Sequence, residues 1–179
     1  MATIEILDRG TIDGRNAAFP QVVELPNGDL LASYSNHGGQ SADGGTDWSR
    51  STDGGRTWHV EGTLLPATRD PESTNYLKPS LSLDGRTIYA YGARSWGNPH
   101  ATFGSRSAEG VLMTSTDGGH TWSEPSLVPM PGDQLEISHG ILPLASGRLL
   151  APAATIPPNR FGEQVIVAIS DDGGRTSRR

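Results

Sequence analysis

The sequence predicts an all-β chain of about three four-stranded antiparallel blades, a partial propeller spanning residues 1–179 as one domain. Three observations predict it. The phrase Ser51-Thr52-Asp53-Gly54-Gly55-Arg56-Thr57-Trp58 recurs as Ser115-Thr116-Asp117-Gly118-Gly119-His120-Thr121-Trp122 and again as Ser170-Asp171-Asp172-Gly173-Gly174-Arg175-Thr176-Ser177. Each copy follows a tight hairpin at a similar distance. Of the 179 residues, 23 are Gly and 13 are Pro, and 34% are hydrophobic, which suits short strands joined by many turns and not a helical bundle.

The spacing of the repeat sets the unit. The central aspartates at 53, 117 and 172 stand 64 and 55 residues apart, one four-stranded blade with a long loop. The expected blades cover residues 15–66, 74–130 and 134–179, the last incomplete. In the first, Gln21–Leu25 and Leu30–Tyr34 flank the turn Pro26-Asn27-Gly28-Asp29. In the second, Pro79–Leu83 and Thr87–Tyr91 flank Asp84-Gly85-Arg86. In the third, Gly140–Leu144 and Arg148–Pro152 flank Ala145-Ser146-Gly147. Gly or Asn-Gly suits such hairpins because it accepts positive φ. A third strand precedes each repeat phrase, as in Gly110–Thr114 and Gln164–Ile169, and a fourth follows it.

The phrase itself reads as a turn and not as a site. Its glycines reach conformations closed to other residues. Its central carboxylate can accept hydrogen bonds from the turn's own amides. Its Trp can fold back on the blade while the indole N–H finds a partner. On this reading Ser51, Asp53, Gly55 and Trp58, Ser115, Asp117, Gly119 and Trp122, and Ser170, Asp172 and Gly174 are structural.

Several function classes are excluded or disfavoured. No run approaches the roughly 20 apolar residues of a membrane helix, and residues 1–5 show neither a basic start nor an apolar stretch, so no signal peptide is expected. The chain has no cysteine, which removes disulfides and thiolate metal sites and leaves the redox compartment unread. A net charge of −6 argues against nucleic acid or an anionic membrane as partner. His59, His100 and His120 lack metal-ligand spacing. No phosphate loop, dinucleotide fingerprint or serine elbow is present, and no cofactor is expected.

The three repeats at blade spacing, each behind a matching hairpin, resemble the sialidase superfamily, the Asp-box or BNR-repeat proteins, from about residue 15 onward. The resemblance implies a six-bladed propeller with its site at the central axis, of which this chain holds roughly the first three blades. Ser177 replaces the third Trp, and the fourth strand of the third blade is expected to be missing. Open blade edges would be surfaces for self-association. The resemblance further implies an exo-glycoside hydrolase acting on terminal sugars, with carbohydrate as partner. Its site uses three arginines for the sugar carboxylate, an Asp acid/base from the first blade and a Tyr nucleophile assisted by a Glu. The Tyr, the Glu and the later arginines have no counterpart in the 179 residues, so the chain by itself is expected to be inactive. The alternative is a non-catalytic Asp-box propeller that binds a glycan or a protein, since the fold hosts several activities.

Carried onto this sequence, the acid/base falls in the loop Asn36–Trp48, at Asp43, with Asp47 as second choice. The Arg-Ile-Pro motif that opens the first inner strand reads Ala18-Phe19-Pro20 here. The arginine is gone, which favours a neutral sugar, a different acidic sugar or a non-catalytic relative. Arg15 stands close by, out of register. His37 follows the second strand of the first blade. Arg94 and Trp96 occupy the equivalent loop in the second blade, where Trp96 suits a sugar ring. His139 stands at the start of the third inner strand. These five are the candidate substrate-binding residues.

Overall fold

The computed structural model describes residues 8–37, 44–97, 106–157 and 162–175. They form three antiparallel sheets. The first holds β1 (Ala17–Glu24), β2 (Leu30–Asn36), β3 (Thr46–Ser51) and β4 (His59–Leu65), in that order. The second repeats the order with β5 (Ser73–Leu81), β6 (Ile88–Trp96), β7 (Ser107–Ser115) and β8 (Ser126–Val128). In the third, β9 (Leu135–Glu136) and β10 (Leu142–Pro143) both pair with β11 (Leu149–Thr155), and β12 (Gln164–Ser170) follows. Consecutive strands pair in the first two sheets, and in the third the two short strands share β11 as partner, so each sheet is one up-and-down blade. Among the described residues no helix is long and apolar enough to cross a membrane.

Two inner strands differ from the hairpins expected of them. β5 begins at Ser73 and not near Pro79, because the polar stretch Ser73-Thr74-Asn75 pairs in unbroken register with Arg94–Trp96. The inner strand of the third blade is split. Glu136 opposes Ala154 and Leu142 opposes Leu150, so residues 137–141 bulge out against only 151–153.

The core lies between blades. Successive residues of a strand face opposite sides, so each blade presents two packing faces. Leu31 of β2, Trp48 of β3, Leu77 of β5, and Ile88, Ala90, Val111 and Met113 of the second blade form one buried cluster. Tyr91, Leu112, Ile137, Leu149, Ala151 and Ala168 belong to the other, between the second and third blades. Near one end the first junction turns polar: Ser33 Oγ donates to the Leu77 carbonyl at 2.6 Å, and Thr46 Oγ1 donates to Asn75 Oδ1 at 2.6 Å while accepting from the Leu77 amide at 2.9 Å.

The Asp boxes occupy the same end as the inner hairpin turns. Ser51 Oγ accepts from the Gly55 amide at 2.9 Å, Asp53 Oδ1 accepts from the Arg56 and Thr57 amides at 3.0 and 2.9 Å, and the Trp58 indole donates to the Gly55 carbonyl at 3.0 Å. The second box repeats the serine, Thr121-amide and indole bonds, and in the third Ser170 Oγ accepts from the Gly174 amide and donates to Asp172. The paired glycines take φ of 73° and 89°, 73° and 88°, and 74° and 92°. Hydrogen bonds to the ionised form hold the Asp53 and Asp117 carboxyls well below the usual carboxylate range.

The boxes do more than clip their own hairpins. Arg50 Nη2 donates to the Gly118 carbonyl at 2.7 Å, and Trp122 meets Trp48 edge-on at 6.0 Å. A Cβ on Gly119 would sit 3.2 Å from Leu31, and one on Gly174 would sit 2.8 Å from Leu112. The second and third boxes therefore abut the preceding blade and help lock the ring.

Candidate functional site

Strand direction puts the other end of the blades opposite the boxes. There the inner strands begin, and there β2 leaves for β3, β6 for β7 and β11 for β12. The first strands of the blades also approach one another here. Phe19 of β1 packs on Tyr76 of β5 with ring centroids 5.4 Å apart, and Tyr76 Oη donates to Glu136 Oε2 of β9 at 3.2 Å. One line of side-chain contact thus crosses all three inner strands.

Lys78 supports this line from behind. Its ammonium lies 4.0 Å from the Tyr76 ring centroid and donates to the Ile137 carbonyl at 2.7 Å, at the start of the third-blade bulge. Burial pulls its pKa down to about 8, against the pull of the Glu136 charge. Burial, with Glu136 beside it, pushes the Tyr76 phenol up, so it stays a neutral donor. Glu136 Oε1 accepts from Ser138 Oγ at 2.6 Å. The sequence reading missed Tyr76, Lys78 and Glu136. The local signal was a lysine inside an otherwise strand-like Tyr76-Leu77-Lys78-Pro79; its partners stand about 60 residues further on.

The predicted residues take these places. Asp43 lies outside the described residues. Asp47 belongs to β3 and not to the preceding loop, and it is 2% exposed. Its Oδ2 accepts from Arg15 Nη2 at 2.7 Å, and its Oδ1 from Asn36 Nδ2 and Thr63 Oγ1, both at 2.8 Å. Arg15 is also bound through two nitrogens to Asp13, whose carboxyl it lowers to about 2. Both residues lie on the side of the first blade away from the second. His37 is exposed with φ of 57°. Arg94 forms an ion pair with Glu109 across β6 and β7 and lies 4.8 Å over the Trp96 ring. His139 is exposed at the centre of the third-blade bulge, its Nδ1 3.0 Å from the Gly140 carbonyl. The structure therefore joins Arg94 to Trp96 and Arg15 to Asp47, and brings no five-residue cluster together.

The end of the Asp43 loop is firmly held. The Gly44 carbonyl accepts from Thr74 Oγ1 at 2.7 Å and from the Asn75 amide at 2.9 Å, and Asn36 Oδ1 accepts from the Gly45 amide at 2.8 Å. A Cβ on Gly44 would lie 2.7 Å from the Asn36 carbonyl, and one on Gly45 2.7 Å from that of Leu65, so only glycine fits. Two clefts open elsewhere, between neighbouring blades on the box side. One, of about 240 Å³, is lined by Leu112, Val128, Ile141 and Leu149; the other, of about 230 Å³, lies beside Leu25, Arg50 and His120. Among the described residues no three His, Asp or Glu side chains converge as a metal site.

Comparison with known proteins agrees with this architecture. The chain is 31% identical to a sialidase of Micromonospora viridifaciens across 91% of its own length, and 34% identical to a sialidase of Bacteroides fragilis across 63%. Its fold is that of the sialidase superfamily. A sialidase from Streptococcus pneumoniae superposes with a TM-score of 0.69 over 97% of the chain at 12% identity. A Dyadobacter fermentans protein of unknown function gives 0.67 over 91% at 21% identity. No protein-family model matches. The chain spans 28% and 25% of the lengths of the two curated sialidases, and 45% and 53% of the two structures. The line Phe19–Tyr76–Glu136 runs across the first strands of the three blades.

Proposed function

We propose that this chain forms part of a sialidase-type exo-glycosidase that removes terminal sugars, with Asp43 as the acid/base. The observation that carries the reading is the 31% identity to a sialidase across 91% of the chain. The clamped Gly44–Gly45 pair supports it. An acid that must meet a glycosidic oxygen within hydrogen-bond reach needs a fixed anchor, and residue 43 is covalently joined to one. Asp43 would protonate the leaving-group oxygen, then take a proton from the incoming water. The nucleophile and its carboxylate helper would come from blades beyond this chain.

The test uses the full-length protein and a panel of glycosides. Asp43→Ala is expected to lower kcat by roughly 10²–10⁴ on natural linkages. The loss should be smaller on aryl glycosides, whose leaving groups need little protonation. An unchanged kcat on a natural linkage would remove Asp43 from the role.

One observation favours the second reading, a propeller that binds glycans without cleaving them. Ala18 stands where the family carries an arginine, and the nearby Arg15 and Arg94 are both ion-paired to carboxylates. That reading predicts glycan binding by the full-length protein with no turnover of any panel member.

A further inference from the structure

We propose that the exposed ring of Phe19, braced from behind by Tyr76, is a platform that stacks on the ring of a neutral sugar, with Glu136 accepting from its hydroxyls. The proposal deepens the glycosidase reading and rests on it for turnover, though not for binding.

Phe19 is 49% exposed and packs at a tilt against Tyr76. Its φ is 56°, a left-handed conformation that is strained for a non-glycine residue. Pro20 follows it and disfavours compact backbone at Phe19 further. The pairing of β1 with β2 slips between Ala18 and Gln21, so the strain coincides with a bulge that redirects the side chain. The result is a large apolar ring on the first strand of the first blade, kept against Tyr76 and not folded into either interblade core. Such a strained, exposed aromatic meets the geometry of a ligand contact, and a pyranose or furanose offers a matching face of C–H bonds.

The polar groups around the platform choose the sugar class. Glu136 is fixed by Tyr76 and Ser138 at one edge of the platform, with oxygen lone pairs that accept sugar hydroxyls. A sugar carboxylate placed there would meet like charge. Three cations at this end are engaged: Arg15 by Asp13 and Asp47, Arg94 by Glu109, and Lys78 buried beneath Tyr76 with its ammonium on the Ile137 carbonyl. At the position where an acidic-sugar enzyme places its first arginine, this chain places a methyl group beside a phenyl ring.

The experiment has two arms on the full-length protein. In the first, saturation-transfer NMR is run with methyl glycosides of galactose, xylose, arabinose and N-acetylneuraminic acid. In the second, KM and kcat are measured on the matching aryl glycosides. Wild type, Phe19→Ala and Phe19→Trp are compared, with circular dichroism confirming that each is folded. The expected result is transfer to ring protons of a neutral glycoside, lost in Phe19→Ala and kept in Phe19→Trp. Where turnover occurs, Phe19→Ala should raise KM about three- to tenfold. Binding without turnover would keep the platform and sink the glycosidase reading. Preference for the sialoside, or ligand binding unmoved by Phe19→Ala, would overturn the platform while leaving the glycosidase reading intact.

Discussion

The two ends of the blades are built in opposite ways. At the box end three turns share one geometry: the amide of the second glycine reaches the box serine at 2.9, 2.9 and 2.8 Å. At the other end no two blades agree. The first carries a buried Asp47 with three donors, the second an Arg94–Glu109 pair over Trp96, and the third a split strand with His139 at its bulge. Two aspartates six residues apart show the contrast. Asp53 folds a turn out of its own neighbours, whereas Asp47 draws partners from the N-terminal segment, β2 and β4. Repetition belongs to the scaffold, because each blade is closed by the same corner. Variation belongs to the end where a ligand would bind.

That comparison can be broken from either side. The largest stability effect is expected at Asp47. Asp47→Ala would leave Asn36 and Thr63 without their acceptor and Arg15 with one carboxylate fewer, costing roughly 2–4 kcal/mol in urea unfolding. An unchanged midpoint would show that this end is held by other contacts. Lys78 comes next and is read through pH. Its folded pKa is about 8 against an ordinary 10.5, so between those values the unfolded chain binds the extra proton. The wild type should therefore gain stability relative to Lys78→Met as pH rises from about 8 to 10.5, by roughly 2–3 kcal/mol. A flat difference would mean that the ammonium is not desolvated. The smallest effect is expected at the box end. Gly119→Ala must hold a Cβ at φ of 88° against Leu31, at a cost of about 1–2 kcal/mol, with sugar binding unaltered. A change in sugar binding would undo the division of labour between the ends.

The fold was legible from the sequence for a local reason. In the first two boxes the carboxylate, hydroxyl and indole find partners within four residues, so the pattern is visible in eight letters. The inner hairpins are equally local. Much of the candidate site was not legible. Trp96 and Arg94 were found because they follow a repeat position, but their mutual contact was not. Asp47 was expected in the loop Asn36–Trp48, and only its pairing with Tyr34 shows that it lies in a strand. Phe19 registered as a departure from the Arg-Ile-Pro motif, and nothing in three letters announces its left-handed backbone.

The sequence by itself determined the blade as a unit, the number of blades present and the turn chemistry that closes each one, because those rest on bonds between near neighbours. Only the tertiary structure decided which side chains meet between the blades. Tyr76 reaches Glu136 and Lys78 reaches the Ile137 carbonyl across about 60 residues of chain, and Arg15 reaches Asp47 across about 30. Such pairs exist only once the blades have packed. Their energetics depend on desolvation between sheets, which no local pattern of residues encodes.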